Sequence, residues 1–302
     1  MKYVSTRGGM QAQPFQDVLL EGLAPDGGLA VPESIPSIDP QTLESWRALT
    51  YPELAAKVLG CFISDIDDQT LSHMTEQAYG TGLFRCETVV SVRPLNEGMS
   101  LLGVSEGPTL AFKDIAMQFL GQVFPHVLQA RGTTLNILGA TSGDTGSAAE
   151  YAMRGKPGVA VFMLSPQGRM SAFQRAQMYS LLDENIHNLA VRGVFDQAQD
   201  VVKALAGDLD FKHRYRLGAV NSINWARIAA QIVYYFWGWL RSTSGPGQQV
   251  SFAVPSGNFG NILSGHIARR MGLPIRRLVL ATNENNVLEE FFRTGVYRPR
   301  LP

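Results

Sequence analysis

The sequence is short of cysteine and of grouped histidines. Only Cys61 and Cys86 are present among its 302 residues, without CxxC spacing, and the five histidines stand far apart from one another. A disulfide framework needs several cysteines at defined spacings, and a zinc site needs Cys or His ligands in recognisable groups. The sequence therefore predicts neither a disulfide framework nor a metal site, and it fits a reducing cytoplasm.

An excess of charge and a long hydrophobic run are also missing. The 26 Lys and Arg residues balance the 26 Asp and Glu residues, so no basic surface is available to attract nucleic acid or anionic lipid. The first ten residues lack the apolar stretch of a signal peptide. The longest apolar stretch, residues 228–240, contains Gln231 and Gly238 and is too short to span a bilayer. We therefore expect a small-molecule partner, no nucleic acid and no membrane.

The length and the distribution of turn signals divide the chain into two regions. At roughly 150 residues per domain, 302 residues suggest about two domains. The first region is rich in Gly and Pro turns and contains two predicted helices, one with Pro52 near its first turn and one over residues 67–79. We therefore predict a mostly helical N-terminal domain over residues 1–95 and a second domain over residues 96–302.

From residue 103 onward, apolar runs of strand length alternate with amphipathic helical stretches. This alternation is typical of α/β proteins with parallel sheets flanked by helices. The predicted strands cover residues 133–139, 159–164, 188–191, 249–254 and 278–281. The predicted helices cover residues 114–129, 145–153, 170–181, 198–206, 224–240, 261–271 and 287–293. The second domain is therefore assigned to the α/β class.

Three predicted strand-to-helix junctions are rich in Gly, Ser, Thr or Asn, and the sharpest follows the strand over residues 249–254. It supplies the candidate cofactor-binding residues Gly257, Asn258, Phe259, Gly260 and Asn261. In parallel sheets ligands bind beyond the carboxyl ends of strands, and N–H groups at a helix start hold anions. The junction is a candidate phosphate cradle, although it lacks the lysine of a P-loop and the GxGxxG order of a dinucleotide fold. A tight turn that merely needs glycine is the competing interpretation.

The second junction follows the strand over residues 133–139 and opens a helix of small residues. It supplies the candidate substrate-binding residues Thr141, Ser142, Gly143, Asp144 and Thr145. Hydroxyls and N–H groups at a helix start suit a substrate carboxylate or another small anion. The alternative is that Ser142 or Asp144 is simply the N-cap of the helix.

The third junction, residues 107–114, contains the candidate catalytic residue Lys113. Lysine is scarce, with six residues in the chain, and Lys113 is the one that follows an apolar run and opens a predicted helix. Desolvation and the positive end of the helix dipole both favour a neutral amine, which is the form that makes a Schiff base. A lysine whose stem covers apolar surface is the alternative. The three junctions together match what pyridoxal 5'-phosphate (PLP) requires: a lysine amine, a phosphate cradle and a carboxylate loop.

On these motifs and others the sequence resembles the threonine synthase family, in the branch with an extended N-terminal domain. This family belongs to the tryptophan-synthase-β-like, fold type II PLP enzymes. The matching segments extend over nearly the whole chain: YVSTRG at 3–8, GLAPDGGL at 22–29, GPTLAFKD at 107–114, ATSGDTG at 140–146, NSIN at 221–224 and PSGNFG at 255–260. The resemblance implies conversion of O-phospho-L-homoserine and water to L-threonine and phosphate. It also implies that Lys113 carries PLP and that residues 257–261 bind the PLP phosphate.

The substrate phosphate requires cations, and Arg169 and Arg227 are the candidates because each lies beside a polar segment. Asn221 is a further candidate from the NSIN motif. Both arginines equally fit exposed helix faces. The resemblance also implies a Ser or Thr at the pyridine nitrogen, carried on a segment beyond Pro302, so we expect the catalytic domain to be incomplete at its C-terminus.

Two other functions remain open from the sequence. One is a serine or threonine dehydratase or another β-replacing PLP enzyme, which would share Lys113 and both anion loops. The other is a non-catalytic protein that binds a phospho-ligand. The expected oligomeric state is a monomer or a homodimer.

Overall fold

The computed structural model describes residues 1–218 and 224–298. Its N-terminal region is mostly helical. Its elements are β1 (Tyr3–Ser5), α1 (Phe15–Glu21), β2 (Ala30–Pro32), α2 (Pro40–Ser45), a 3-10 turn (Trp46–Ala48), α3 (Tyr51–Gly60), α4 (Asp68–Tyr79), β3 (Ser91–Asn96) and β4 (Met99–Gly103). The strands β1 and β2 pair antiparallel, as do β3 and β4. The helical character predicted for this region is confirmed.

Local capping explains where α3 and α4 begin. The N–H of Thr50 donates to the Glu53 carboxylate at 2.7 Å in a capping box, and Pro52 lies in the first turn of α3. The Asp67 carboxylate accepts from the N–H of Thr70 at 2.9 Å at the start of α4. These signals lie in the sequence next to each helix, which is why both helices could be predicted.

The second region alternates strands and helices. Its elements are α5 (Lys113–Ala130), β5 (Leu135–Ala140), α6 (Asp144–Met153), β6 (Val159–Pro166), α7 (Ala172–Tyr179), β7 (Ile186–Val191), α8 (Phe195–Gly207), α9 (Leu209–Arg214), β8 (Leu217–Gly218), α10 (Trp225–Ser242), β9 (Val250–Pro255), α11 (Gly260–Arg270), β10 (Ile275–Ala281) and α12 (Val287–Thr294). Every strand and helix predicted for this region is present, with ends within three residues. The sequence did not predict α9 and β8, which are short.

All the strands of this region pair in parallel, in two separate sheets. The larger sheet has the order β7-β6-β5-β8, and the smaller one pairs β9 with β10. Ala140 lies opposite Leu164, so β5 and β6 end at the same edge. The segment that leads to Lys113 differs from the expectation, because it follows the antiparallel strand β4 and not a strand of a parallel sheet.

One hydrophobic core connects the two regions, with α10 at its centre. Nearly every side chain of α10 is buried. Its aromatic residues contact the N-terminal region, with ring centroids 5.5 Å apart for both Trp225–Phe62 and Trp237–Tyr51. The domain boundary predicted at residue 95 falls inside β3 and stays a prediction. No helix within residues 1–218 and 224–298 is both long and apolar enough to cross a membrane.

Candidate active site

A cavity of about 200 Å³ lies between the start of α5, the side of α10 and the loop after β9. It is lined by Phe112, Lys113, Arg227, Gln231, Pro255, Ser256, Gly257, Asn258, Gly260 and Asn261. The structure thus brings the predicted lysine and four residues of the predicted phosphate loop to one cavity. A larger groove of about 600 Å³, between α3 and α4, contains none of the predicted site residues that the structure describes.

Lys113 is the first residue of α5, and its side chain is only 16% exposed. Its Nζ lies 3.1 Å from Oδ2 of Asp144 and 5.3 Å from the centre of the Phe112 ring. The amine therefore points into the cavity and towards the loop after β5. This geometry does not fit the alternative in which the stem lies on the surface and the amine reaches into water.

The backbone before Lys113 is fixed by its neighbour Asp114. The Asp114 carboxylate is fully buried and accepts from the N–H and the hydroxyl of Thr109, at 2.9 Å and 2.7 Å. Burial raises the pKa of Asp114, while the hydrogen bonds from Thr109 oppose that shift. Gln177 of α7 donates to the carbonyl of Thr109 at 3.0 Å. The loop that leads to Lys113 is therefore held by hydrogen bonds from Thr109 to Asp114 on one side and from Gln177 to Thr109 on the other.

The loop after β5 is organised by Thr141, not by the residues that the sequence suggested as caps. The buried Thr141 hydroxyl accepts from the N–H groups of Gly143 and Gly146, at 3.0 Å and 2.9 Å. The N-cap position of α6 is Gly143, so neither Ser142 nor Asp144 fills it. The alternative that Ser142 or Asp144 is merely the N-cap is therefore wrong, because Thr141 already serves the helix start. Ser142 and Asp144 are exposed, and Thr145 is half-buried.

The phosphate loop predicted over residues 257–261 connects β9 to α11. Phe259 has a left-handed backbone with φ 61°, whereas neither Gly257 nor Gly260 does. A Cβ built on Gly257 or Gly260 would meet nothing within 4 Å. The turn and its packing therefore do not require these two glycines, which argues against the tight-turn interpretation. Within the described part of the chain, the N–H groups of Gly257, Asn258 and Phe259 have no hydrogen-bond acceptor.

Two tyrosines of α10 position the start of α11. The hydroxyls of Tyr234 and Tyr235 both donate to Oδ1 of Asn261, at 2.5 Å and 3.0 Å. Ser264, one turn further along, donates to the carbonyl of Ile228 at 3.1 Å. The side-chain oxygen of Asn261 is thus used inside the protein. The sequence did not predict that Asn261 holds the loop through these hydrogen bonds.

The three polar candidates for substrate binding lie in different surroundings. Arg227 is 2% exposed, lines the cavity, and has its pKa lowered to about 10 by burial. The expectation that Arg227 could lie on an exposed helix face is therefore wrong, because α10 is enclosed by the core. Arg169 is exposed in the turn after β6 and does not line the cavity. Asn221 lies outside the described residues.

Gln231 is a cavity residue that sequence reasoning missed. Its side chain is 4% exposed, and its Oε1 is buried without a hydrogen-bond partner among the described residues. A buried amide oxygen without a donor is costly, by about 1 to 3 kcal/mol, unless a ligand supplies one. The available signal was a polar residue inside the apolar run of residues 228–240.

Comparison with known proteins places this geometry among related chains. A family model described as the threonine synthase N terminus matches residues 2–79. The chain is 57% identical to a threonine synthase of Methylobacillus glycogenes over 99% of its own length, and 55% identical to one of Corynebacterium glutamicum, also over 99%. It spans 65% and 63% of the length of these two relatives.

Solved structures agree with the sequence comparison. PLP-bound threonine synthase from Brucella melitensis superposes with a TM-score of 0.94 at 44% identity, over 99% of this chain and 64% of that one. Threonine synthase from Escherichia coli gives a TM-score of 0.87 at 32% identity, over 99% and 68%. An O-ureido-L-serine synthase, at 16% identity and a TM-score of 0.52 over 74% of this chain, has the same fold.

Proposed function

The chain belongs to the threonine synthase family and has its fold type II architecture, and we propose that it binds PLP and converts O-phospho-L-homoserine and water to L-threonine and phosphate. The proposal rests on one observation: Lys113 and residues of the 257–261 loop line the same cavity. A lysine amine and a cradle of N–H groups are the two attachments that PLP needs.

The residues around the cavity fit PLP on two observations. The space above Gly257 and Gly260 is open, although neither residue needs to be glycine for its backbone or its packing. The N–H groups of Gly257, Asn258 and Phe259 are available to a phosphate, next to the positive end of the α11 dipole. These features support residues 257–261 as the cofactor phosphate site, with the Tyr234 and Tyr235 hydroxyls holding Asn261 in place.

When bound, PLP supplies an aldehyde for the lysine amine and a ring that accepts the electrons released at the substrate Cα. Lys113, as a free amine, would remove the Cα proton and then move a proton at Cβ. Overall, Cβ would lose a proton and take the hydroxyl of water, while Cγ would release phosphate and gain a proton to become the methyl group of threonine. The remaining proton of water would leave with the phosphate. The near-enclosed position of Lys113 supports this role, because it places the amine at the cavity and not in bulk water.

Different groups would hold the two ends of the substrate. The first-turn N–H groups of α6, at Asp144 and Thr145, have no partner within the helix and suit the substrate carboxylate. We propose that the remaining loop residues, Thr141, Ser142 and Gly143, shape the backbone that forms this carboxylate site. Arg227, which lines the cavity, is the better supported cation for the substrate phosphate, since Arg169 is exposed and is not among the residues that line the cavity.

A spectroscopic experiment tests the cofactor assignment. The purified chain mixed with PLP should develop a visible absorbance band that borohydride removes, because a lysine-bound aldehyde is reducible. Lys113→Ala should lose the band. Lys57→Ala, which removes a lysine from the distant groove between α3 and α4, should keep it. A borohydride-sensitive band in Lys113→Ala equal to that of the wild type would contradict the assignment.

A second measurement separates this reaction from those of related PLP enzymes. Phosphate release from O-phospho-L-homoserine identifies a threonine synthase, whereas keto acid from L-serine or L-threonine identifies a dehydratase. We expect phosphate and threonine from the first substrate and no keto acid from the other two. A chain that forms the band and turns over none of the three would support a non-catalytic phospho-ligand protein instead.

We also propose that the protein works in the cytoplasm. Cys61 and Cys86 are both free thiols in the structure. Free thiols persist in a reducing compartment, so this observation supports the proposal.

A further inference from the structure

Gln174 lies on α7, a helix that contributes no residue to the cavity lining, yet its side chain connects to Lys113 through a chain of polar contacts. The Ser171 hydroxyl donates to Oε1 of Gln174 at 2.9 Å, which leaves the amide nitrogen facing the other way. That nitrogen donates to Oδ1 of Asp144. The second oxygen of Asp144, Oδ2, lies 3.1 Å from Nζ of Lys113.

We propose that Gln174 is a positioning residue that holds Asp144 in place as the counter-ion of Lys113. The Asp144 side chain is 48% exposed, so without a second contact its carboxylate could rotate into water. Exposed ion pairs contribute little, largely because both side chains must be held in one geometry. An amide that fixes one carboxylate oxygen lowers that cost and keeps the other oxygen directed at the amine.

The backbone of the loop is shaped to admit Gln174. Gly143 has φ 148°, and a Cβ at this position would overlap the Gln174 amide. Glycine at 143 is therefore needed for the contact between α7 and the loop, in contrast to Gly257 and Gly260, where a Cβ has room. The loop backbone at Gly143 thus lets the Gln174 side chain come close, and Asp144 is the next residue along the chain.

The other carboxylate near Lys113 is already engaged. Asp114 accepts from Thr109 and, at 3.4 Å, from the N–H of Ala111, so its oxygens stay on its own loop. Asp144 is the carboxylate that forms the ion pair with Lys113. Gln177, one turn beyond Gln174, donates to the Thr109 carbonyl. Helix α7 therefore supports both the loop that presents Lys113 and the carboxylate that faces it.

The inference rests on the proposed role of Lys113 as the cofactor lysine, but its test does not require the cofactor. An amine that an ion pair holds against a carboxylate is less accessible to an acylating reagent than a free amine, and Nζ of Lys113 makes such a contact with Oδ2 of Asp144. The rate at which acetic anhydride acetylates Lys113 in the full chain at pH 8, read by mass spectrometry relative to Lys57, therefore reports the ion pair.

Four variants separate the roles of the two residues. Asp144→Asn keeps the shape of the side chain and removes its charge, so Lys113 should be acetylated roughly two- to fivefold faster, the range set by a partly exposed ion pair. Gln174→Ala should give a smaller increase in the same direction. The double variant should be no faster than Asp144→Asn alone, because Gln174 acts only through the carboxylate. Ser180→Ala, at the exposed end of α7, should match the wild type.

Several outcomes would overturn the inference. Unchanged acetylation in Asp144→Asn excludes the ion pair, and unchanged acetylation in a folded Gln174→Ala excludes the positioning role. Additive effects in the double variant would show that Gln174 acts elsewhere. If Gln174→Ala proves unfolded by circular dichroism, a folded Ser171→Ala replaces it and should accelerate acetylation less; this variant removes the donor that orients the amide together with the N-cap of α7. A wild-type chain without the PLP band, but with these rates, would contradict the proposed function and leave this inference standing.

Discussion

At the scale of single residues, Gly257 and Gly260 distinguish a ligand site from a structural turn. Neither has a left-handed backbone, and a Cβ on either would meet no atom of the protein. Gly257→Ala and Gly260→Ala should therefore leave the thermal unfolding temperature within a few degrees of the wild type. Each should weaken PLP binding about tenfold or more, because the added methyl group occupies the space through which a phosphate approaches the N–H groups.

Fluorescence titration with PLP and thermal unfolding measure the two effects separately. Gly245→Ala is the matched control, since a Cβ there also meets nothing but the residue lies in the loop between α10 and β9. It should change neither affinity nor stability. Unchanged PLP affinity together with a lower unfolding temperature in Gly257→Ala would restore the tight-turn interpretation.

At the scale of elements, α6, α7 and β7 meet around a buried carboxyl group. Glu150 of α6 is fully buried, and burial raises its pKa to about 8, which the hydrogen bond from Asn188 only partly opposes. Asn188 of β7 donates to Glu150 at 3.3 Å and to the carbonyl of Met178 in α7 at 3.2 Å. The amide of Asn188 thus links β7 to α6, which begins in the candidate substrate loop, and to α7, which packs against that loop.

The raised pKa of Glu150 predicts a stability that falls with increasing pH. Between the unfolded pKa of 4.5 and the folded pKa of about 8, the folded chain binds the proton more tightly, so each rise in pH favours unfolding. Glu150→Gln removes the titration, and it should stabilise the protein at pH 8 to 9 by a few kcal/mol on this linkage. It should change stability little near pH 5, where the wild-type side chain is protonated when folded.

Urea unfolding at pH 5 and pH 8.5 measures this difference. Glu76→Gln, an exposed carboxylate of α4, is the control and should show the same pH dependence as the wild type. A Glu150→Gln protein that loses stability equally at both pH values would show that the carboxylate is needed as a charged group and that its folded pKa is not raised.

At the scale of the whole molecule, the two regions share one core around α10. Trp237 of α10 donates to the carbonyl of Val90 at 2.8 Å and packs on Tyr51. Arg241 at the end of α10 donates to the carbonyls of Arg47 and Leu49, both at 2.6 Å. Buried aromatic residues and backbone-directed hydrogen bonds on both sides of residue 95 make the regions mutually dependent.

This shared core predicts a single cooperative unfolding transition for residues 1–302. Tryptophan fluorescence, which reports Trp46 and the tryptophans of α10, should therefore give the same urea midpoint as far-UV circular dichroism. A core truncation such as Trp237→Ala should lower both midpoints together, by about 3 to 5 kcal/mol in unfolding free energy. Two separate transitions would show that the N-terminal region folds by itself and that residue 95 is close to a true domain boundary.

Much of the fold could be predicted because its signals are local. Helix periodicity, the capping box at Thr50 and Glu53, and the apolar runs of β5, β6 and β9 all lie within short windows of sequence. The short elements α9 and β8 were not predicted, because six and two residues carry too little pattern. The antiparallel β3–β4 hairpin before Lys113 was missed for a related reason: exposed strands such as β3 lack an apolar run.

The sequence by itself determined the class of the fold, the Lys113 position at a helix start and the places of the two candidate anion loops after strands, because composition and spacing along the chain define them. The tertiary structure alone decided which polar groups face one another. Gln174 meets Asp144 across 30 residues, Gln231 reaches the cavity from the core, and Thr141 takes the capping role from its neighbours. These contacts depend on how α7 and α10 pack and on side-chain rotamers, and neither is encoded in a local pattern.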